Sequence, residues 1–286
     1  MSADLKDKIA IVTGGAQGLG QAISLRLVRE GCKVVIADVN AKGVAESAAA
    51  LAAETPKCQS RPGSEPEIAE TPACVLGVKA DVTQESDVKV LFERAVQEFG
   101  RVDIVVSNAA ILIAEPLADA DAEKWRAVMN VNLFGYFLVT KYACRLMKTQ
   151  GGGAIVNINS KSGKKGSAAN SAYAASKFGC IGHTQSVALE MAPFNIRCNA
   201  VCPGNLLDSP LWTHPEKGLF AQYLRAGKVP GANTVADVRQ AYINQVPMKR
   251  GCSYEDVCNA VVFLASAQSS YITGIALSVT GGQEMS

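Results

Sequence analysis

The run from Lys8 to Asp38, KIAIVTGGAQGLGQAISLRLVREGCKVVIAD, decides how the chain folds. Lys8 to Thr13 is a short apolar segment rich in Ile and Val, the composition of a strand buried on both faces. Gly14, Gly18 and Gly20 punctuate the turn that follows, a helical stretch reaches about Glu30, and Lys33 to Ala37 is a second strand closing on Asp38. Glycines at Gly-x-x-x-Gly-x-Gly spacing permit a tight turn and a close approach of backbone N–H groups. They also let the helix pack near the strand with its N-terminal dipole aimed at a bound anion. Strand, turn, helix, strand and terminal acid in register predict a dinucleotide site, with Gly14, Gln17, Gly18, Leu19 and Gly20 at the pyrophosphate.

Asp38 stands eighteen residues beyond Gly20. A carboxylate there accepts hydrogen bonds from an adenosine ribose diol and repels a 2′-phosphate. Ala16, Gln17, Val39 and Asn40 supply no cation to reverse that preference, and Lys42 is the nearest one. The expected cofactor is NAD rather than NADP.

The alternation continues downstream. Ala41 to Glu54 reads as an alanine-rich helix and Val75 to Lys79 as a third strand ending in Ala80-Asp81-Val82. Between them, residues 55–72 hold four prolines and no apolar period, the pattern of a surface insertion. Thr83 is the expected cap of a helix running to about Phe99, and Val102 to Val106 is the fourth strand. Ser107-Asn108-Ala109-Ala110 after it are small enough for a flat ring to lie over the sheet edge. Asp121 to about Lys148 reads as one long helix. Its Trp125, Val128, Met129, Leu133, Phe134, Phe137 and Leu138 do not fit a single stripe, so part of it is expected to meet another subunit. Gly153 to Asn159, Ile196 to Val201 and Gly274 to Thr280 complete seven strands. The class is therefore α/β: a single domain over 1–286, with a doubly wound, seven-stranded parallel sheet and helices on both faces. Residues 204–250, with several Gly and Pro and a helical pattern near Val235 to Asn244, read as a substrate-binding lobe or lid.

A second stretch carries the chemistry: Asn159 to Lys177, NSKSGKKGSAANSAYAASK. Tyr173 and Lys177 are four residues apart, one turn of helix on a common face. An ammonium beside a phenol favours the phenolate, pulling it down from a resting pKa of about 10. Ser160, thirteen residues ahead of Tyr173 at a strand end, can hold the oxygen that gains or loses the proton. Lys161, Lys164 and Lys165 follow on a loop that should rim the site, and are candidates for binding a substrate phosphate; Arg250 and His214 rank below them. Asn132 is a polar residue in apolar surroundings, where a bond to a neighbouring carbonyl is the alternative to a functional role.

Composition narrows the field. A net charge of +2 with no basic run among aromatics gives no field for nucleic acid or membrane. The start, MSADLKDKIAIVTGG, has neither a signal-peptide core nor a span near 20 apolar residues. Nine cysteines without a CxxC pair fit free thiols in a reducing cytoplasm, and two histidines are too few for a His-rich metal site, so no metal is expected.

Together, Thr13-Gly14-x-x-x-Gly18-x-Gly20, Asp81, Ser107-Asn108-Ala109-Ala110, Asn132, Ser160 and Tyr173-x-x-x-Lys177 resemble the short-chain dehydrogenase/reductase family in order and spacing, over nearly the whole chain. The resemblance implies a single Rossmann domain, an oxidoreductase acting on CH–OH groups, and a catalytic tetrad of Asn132, Ser160, Tyr173 and Lys177. It implies that Asp81 and Val82 approach the adenine, that Asn108 steadies the central strands, and that Tyr173 and Lys177 also touch the cofactor. Ala110 departs from the family pattern by adding a methyl where glycine lets the cofactor pass, and the insertion after Glu54 is atypical. Segments including Asn159–Lys164, Pro203–Leu207, Val246–Cys252 and Val279–Gln283 resemble more narrowly the bacterial sorbitol-6-phosphate 2-dehydrogenases, which implies a polyol phosphate substrate and a contact from Asn205; residues 211–240 match poorly. A homodimer or homotetramer through the 121–148 and 171–191 helices is expected. Alternative readings are a dehydrogenase of an unphosphorylated sugar alcohol or of another hydroxy acid or sulfonate, and a non-catalytic NAD-binding sensor.

Overall fold

The computed structural model describes residues 4–54, 74–225 and 227–285, so the insertion read at 55–72 lies outside the described residues. The chain alternates β1 (Ile9–Thr13), α1 (Gly18–Arg29), β2 (Lys33–Asp38), α2 (Ala41–Ala53), β3 (Val75–Lys79), α3 (Glu85–Phe99) and β4 (Ile104–Ser107). There follow α4 (Ala122–Met129), α5 (Gly135–Gln150), β5 (Gly153–Ile158), α6 (Ser171–Met191) and β6 (Ile196–Pro203). Short helices α7 (Pro210–Thr213), α8 (Leu219–Arg225) and α9 (Val235–Asn244) precede α10 (Tyr254–Ala265) and β7 (Ala276–Val279).

Seven strands lie in the order β3-β2-β1-β4-β5-β6-β7, all parallel. Alternation of side chains along each strand splits the core into two layers. Ala10 and Val12 of β1 pack with Ile23 and Leu27 of α1 and with Val257 and Val261 of α10. Ile9 and Ile11 face the other way, towards Leu91 of α3, Leu138 and Met147 of α5, and Ala188 of α6. Chain order reverses between β1 and β4, and a crevice opens at their carboxyl ends, the usual place for a ligand in an open α/β sheet. Asn108 closes the base of that crevice. Its amide donates to the Thr13 carbonyl at 3.0 Å and the Gly14 carbonyl at 3.2 Å, tying the end of β4 to the end of β1.

Two local expectations are corrected. The segment after Asp121 is not one α-helix: between α4 and α5, residues Asn130–Phe134 form a π-helical turn. Thr83 does not cap α3; its hydroxyl donates to Asp81 at 2.8 Å, and the N-cap residue is Gln84.

The segment after β6 carries a third, smaller core. Trp212 sits among Phe220, Tyr223 and Tyr242 with ring centroids 5.0, 5.8 and 4.9 Å away, so α7, α8 and α9 cohere as a lobe beside the crevice. The α9 boundaries coincide with the helical pattern read at Val235 to Asn244.

Replacing Asn108 by Ala leaves two strand-end carbonyls without their donor. The expected cost is about 1–3 kcal/mol, seen as a lower urea midpoint with an unchanged slope.

Candidate active site

The glycine turn owes its shape to steric limits. Gly18 has φ +57°, a left-handed value that L side chains rarely adopt. A Cβ on Gly20 would stand 2.0 Å from the Gly14 carbonyl oxygen, so only glycine lets α1 begin this close to β1. Tyr254, the first residue of α10, brings its hydroxyl to 3.6 Å from where a Gly18 side chain would begin. That hydroxyl is buried and has no hydrogen-bond partner among the described residues. A cradle only glycine can line, with an unpartnered donor beside it, fits a diphosphate-bearing cofactor.

The turn forms one end of a cavity of about 1100 Å³. Gly14, Gln17, Gly18, Leu19, Gly20, Asp38, Asp81, Val82 and Asn108 all line it, as do Ser160, Tyr173 and Lys177. Asp38 is fixed by the backbone N–H groups of Ala16 at 3.3 Å and Asn40 at 3.0 Å. Asn40, not Asp38, caps α2, by accepting from the Gly43 N–H at 3.1 Å. The Asp81 carboxylate accepts from the Thr83 backbone at 2.9 Å as well as its hydroxyl. Ala110 also lines the cavity.

At the other end, α6 carries Tyr173 and Lys177 one turn apart, and the Lys177 Nζ lies 5.7 Å from the Tyr173 ring centroid. Lys177 is 1% exposed. Its Nζ donates to the Ile158 carbonyl at 2.9 Å and to the Tyr136 hydroxyl at 3.1 Å, and the Tyr136 hydroxyl in turn donates to the same carbonyl. Burial pushes the Lys177 ammonium below its ordinary pKa. Burial also pushes the Tyr173 phenol up to about 12, while a hydrogen bond with Ser160 pulls the other way. Burial thus works against the expected pull of Lys177 on Tyr173, and the amine is engaged by Ile158 and Tyr136. Ser160 sits just past β5 and accepts from the Ser162 N–H at 3.1 Å.

Asn132 does not reach the cavity. Its amide accepts from the Ile111 N–H at 2.8 Å and donates to the Ile111 carbonyl at 2.9 Å and the Ser176 hydroxyl at 3.1 Å. It braces the loop after β4 against α6 from inside the π turn. Among the lysines, Lys161 lines the cavity but Lys164 and Lys165 do not. Lys164 turns to β7, donating to the Ala276 carbonyl at 2.6 Å and the Ser278 hydroxyl at 2.9 Å, and Lys165 points to solvent. Both are corrected as cavity contacts. Arg250 pairs with Asp256, also away from the cavity, whereas His214 lies on its rim. Asn205 lines the cavity with a buried, unpartnered amide nitrogen.

Tyr136, Tyr254, Lys217 and Lys228 are site residues that the sequence reading passed over. Only Tyr136 had a local signal, a polar-tipped ring one helical turn beyond Asn132.

Comparison with known proteins agrees with this geometry. The family model for short chain dehydrogenases matches residues 8–217. The sorbitol-6-phosphate 2-dehydrogenase of Escherichia coli strain K12 is 38% identical over 281 residues, covering 98% of this chain and 99% of that one. The crystal structure of the sorbitol-6-phosphate 2-dehydrogenase from Erwinia amylovora superposes with a TM-score of 0.86 at 36% identity, covering 97% of this chain and all of that one (100%). An NAD+-bound xylitol dehydrogenase structure gives 0.84 at 30% identity, covering 98% and 100%. With its glycine turn, its Tyr-x-x-x-Lys pair and these matches over nearly its whole length, the chain belongs to the short-chain dehydrogenase family, an oxidoreductase acting on CH–OH groups.

Proposed function

We propose that the protein is an NAD-dependent dehydrogenase interconverting a secondary alcohol of a polyol phosphate and its ketone, with sorbitol 6-phosphate and fructose 6-phosphate as the pair. The observation that carries this reading is the convergence of Ser160, Tyr173 and Lys177 at one end of a cavity whose other end holds the glycine turn and Asp38. Gly14, Gln17, Gly18, Leu19 and Gly20 would hold the diphosphate, Asp38 the adenosine ribose, and Asp81 and Val82 the adenine edge. A bound nicotinamide supplies the acceptor for the hydride that leaves the alcohol carbon.

The chain's own groups handle the proton. Tyr173 gives its proton to the carbonyl oxygen during reduction and removes the hydroxyl proton during oxidation. Ser160 donates to that oxygen as negative charge gathers on it. Lys177, fixed by Ile158 and Tyr136, supplies positive charge beneath the phenol, and Asn132 is a positioning residue that sets the loop after β4 against α6. A phenol held up near 12 is protonated at neutral pH, the form that reduction requires. Unpartnered polar atoms of Asn170, Asn205 and Ser209 at the substrate end suit a hydroxyl-rich ligand.

The NAD preference rests on Asp38 without a neighbouring cation, and on the likeness to an NAD+-bound relative. Exposed Phe134 in the π turn and Phe137 on α5, together with Phe178 on α6, support assembly of a homodimer or homotetramer through the 121–148 and 171–191 helices. No described helix is long and apolar enough to cross a membrane, and the buried thiols of Cys32, Cys144, Cys180, Cys198, Cys202 and Cys258 accord with a cytoplasmic protein. The likeness to a xylitol dehydrogenase keeps an unphosphorylated polyol as the second reading.

Tyr173→Phe is expected to lower kcat by about 10²–10⁴ while NADH still binds, as measured by fluorescence titration; retained turnover would remove the phenol from the proton path. In wild type, alcohol oxidation should quicken from pH 7 to 10 as phenolate becomes accessible, with no such rise for ketone reduction. Asp38→Ser should raise the NADP-to-NAD ratio of kcat/KM by roughly tenfold or more by removing the charge that repels a 2′-phosphate; an unchanged ratio would show that the preference is set elsewhere.

A further inference from the structure

Charge is segregated along the cavity. Its only lining carboxylates among the described residues are Asp38 and Asp81, both at the end proposed for adenosine. The other end is basic, lined by Lys161, Lys177, Lys217, Lys228 and His214. Lys177 is buried and already donates to the Ile158 carbonyl and the Tyr136 hydroxyl. Lys217 and His214 are exposed at the rim, and the His214 Nδ1 accepts from the backbone N–H groups of Glu216 and Lys217 at 3.2 and 3.1 Å. Two cations remain that are half-buried and face the cavity without a full complement of acceptors.

Lys161 follows Ser160 directly and makes no hydrogen bond from its Nζ among the described residues. Lys228 also lines the cavity, from the connection between α8 and α9. Its Nζ lies 3.9 Å from the Tyr223 ring centroid and 3.5 Å from the carbonyl of Ala168, on the loop that also bears Lys161. Neither contact neutralises it. Burial lowers the Lys161 pKa to about 8; the charges of Lys165 and Lys228 push it the same way, and Glu284 opposes them. The charge of Lys228 thus disfavours that of Lys161, and burial disfavours that of Lys228, costs that a shared dianion would offset.

We propose that Lys161 and Lys228 are a phosphate clamp, one cation from the loop after β5 and one from the lobe of α7 to α9, that grips the phosphate monoester of the substrate. The assignment rests on the polyol phosphate reading above and deepens it by naming the residues that read the phosphate. A phosphate monoester is a dianion above pH about 6 and offers three acceptor oxygens, enough to serve both ammonium groups. Because Lys228 rides on the face of Tyr223, inside the aromatic core of Trp212, Phe220 and Tyr242, an anion bridging it to Lys161 couples the whole lobe to the loop that carries Ser160. Binding energy from the non-reacting end of the substrate then orders the reacting end.

The experiment compares wild type, Lys161→Met, Lys228→Met and Lys228→Arg on sorbitol 6-phosphate and on sorbitol with NAD, with NADH titration as the control for an intact fold. Each Met variant should reduce the ester-to-polyol ratio of kcat/KM at least tenfold, and Lys228→Arg should restore most of it. In wild type the same ratio should fall as pH rises through about 8, where Lys161 loses its proton. Inorganic phosphate should accelerate wild-type turnover of sorbitol and fail to do so in Lys228→Met. An unchanged ratio in both Met variants overturns the clamp. Should wild type turn over neither substrate, the polyol reading fails and the clamp is judged separately by calorimetry with inorganic phosphate: binding in wild type lost in both Met variants upholds it, and no binding in wild type overturns it.

Discussion

A lysine amine removed from water is costly unless polar groups meet it, by several kcal/mol in real proteins. Lys177 is 1% exposed, and the Ile158 carbonyl and the Tyr136 hydroxyl are what meet it. Much of the site follows from that requirement. Ile158 is the last residue of β5, so the strand end that receives the amine also sets the position of Ser160 two residues later. Tyr136 stands on α5 and Lys177 on α6, so the same contact joins two helices across the sheet end. Asn159 adds a second tie, donating from its amide to the Lys177 carbonyl at 3.0 Å. The phenol of Tyr173 inherits its place from this arrangement.

The geometry divides labour between a rigid half and a composite half. Glycine turn, Asp38, Asp81 and Asn108 all project from the carboxyl ends of β1 to β4, where backbone hydrogen bonds fix them. The substrate half is assembled from the loop after β5 and from a lobe with its own aromatic core. Relatives matching nearly the whole chain carry the names of different alcohols, sorbitol 6-phosphate and xylitol among them.

The order of elements was readable because buried parallel strands are continuous apolar runs, and Ile9–Thr13, Lys33–Asp38 and Val75–Lys79 lie within a residue of where Ile and Val place them. Tyr173 and Lys177 were readable because a four-residue spacing dictates a common helical face. What escaped was long-range. Lys161, Lys164 and Lys165 look alike in sequence, yet only contact with β7, 112 residues away, diverts Lys164 from the cavity. Lys228 reaches the loop after β5 from 60 residues beyond Ala168, a distance no local pattern encodes. Nor does spacing reveal that burial pushes the Tyr173 phenol up against the pull of a neighbouring charge.

The π turn at Asn130–Phe134 amounts to one residue too many for a regular helix. Were a single residue deleted there, the hydrogen-bond ladder could heal into an unbroken rod from α4 to α5. The wide turn already absorbs the extra residue, so α5 would keep about the same face toward the sheet after such a splice. What would be lost is the widened turn itself, the place from which Asn132 reaches the Ile111 backbone and Ser176. A change that makes the helix more regular would thus remove the brace between the loop after β4 and α6 while leaving the rest of α5 in place.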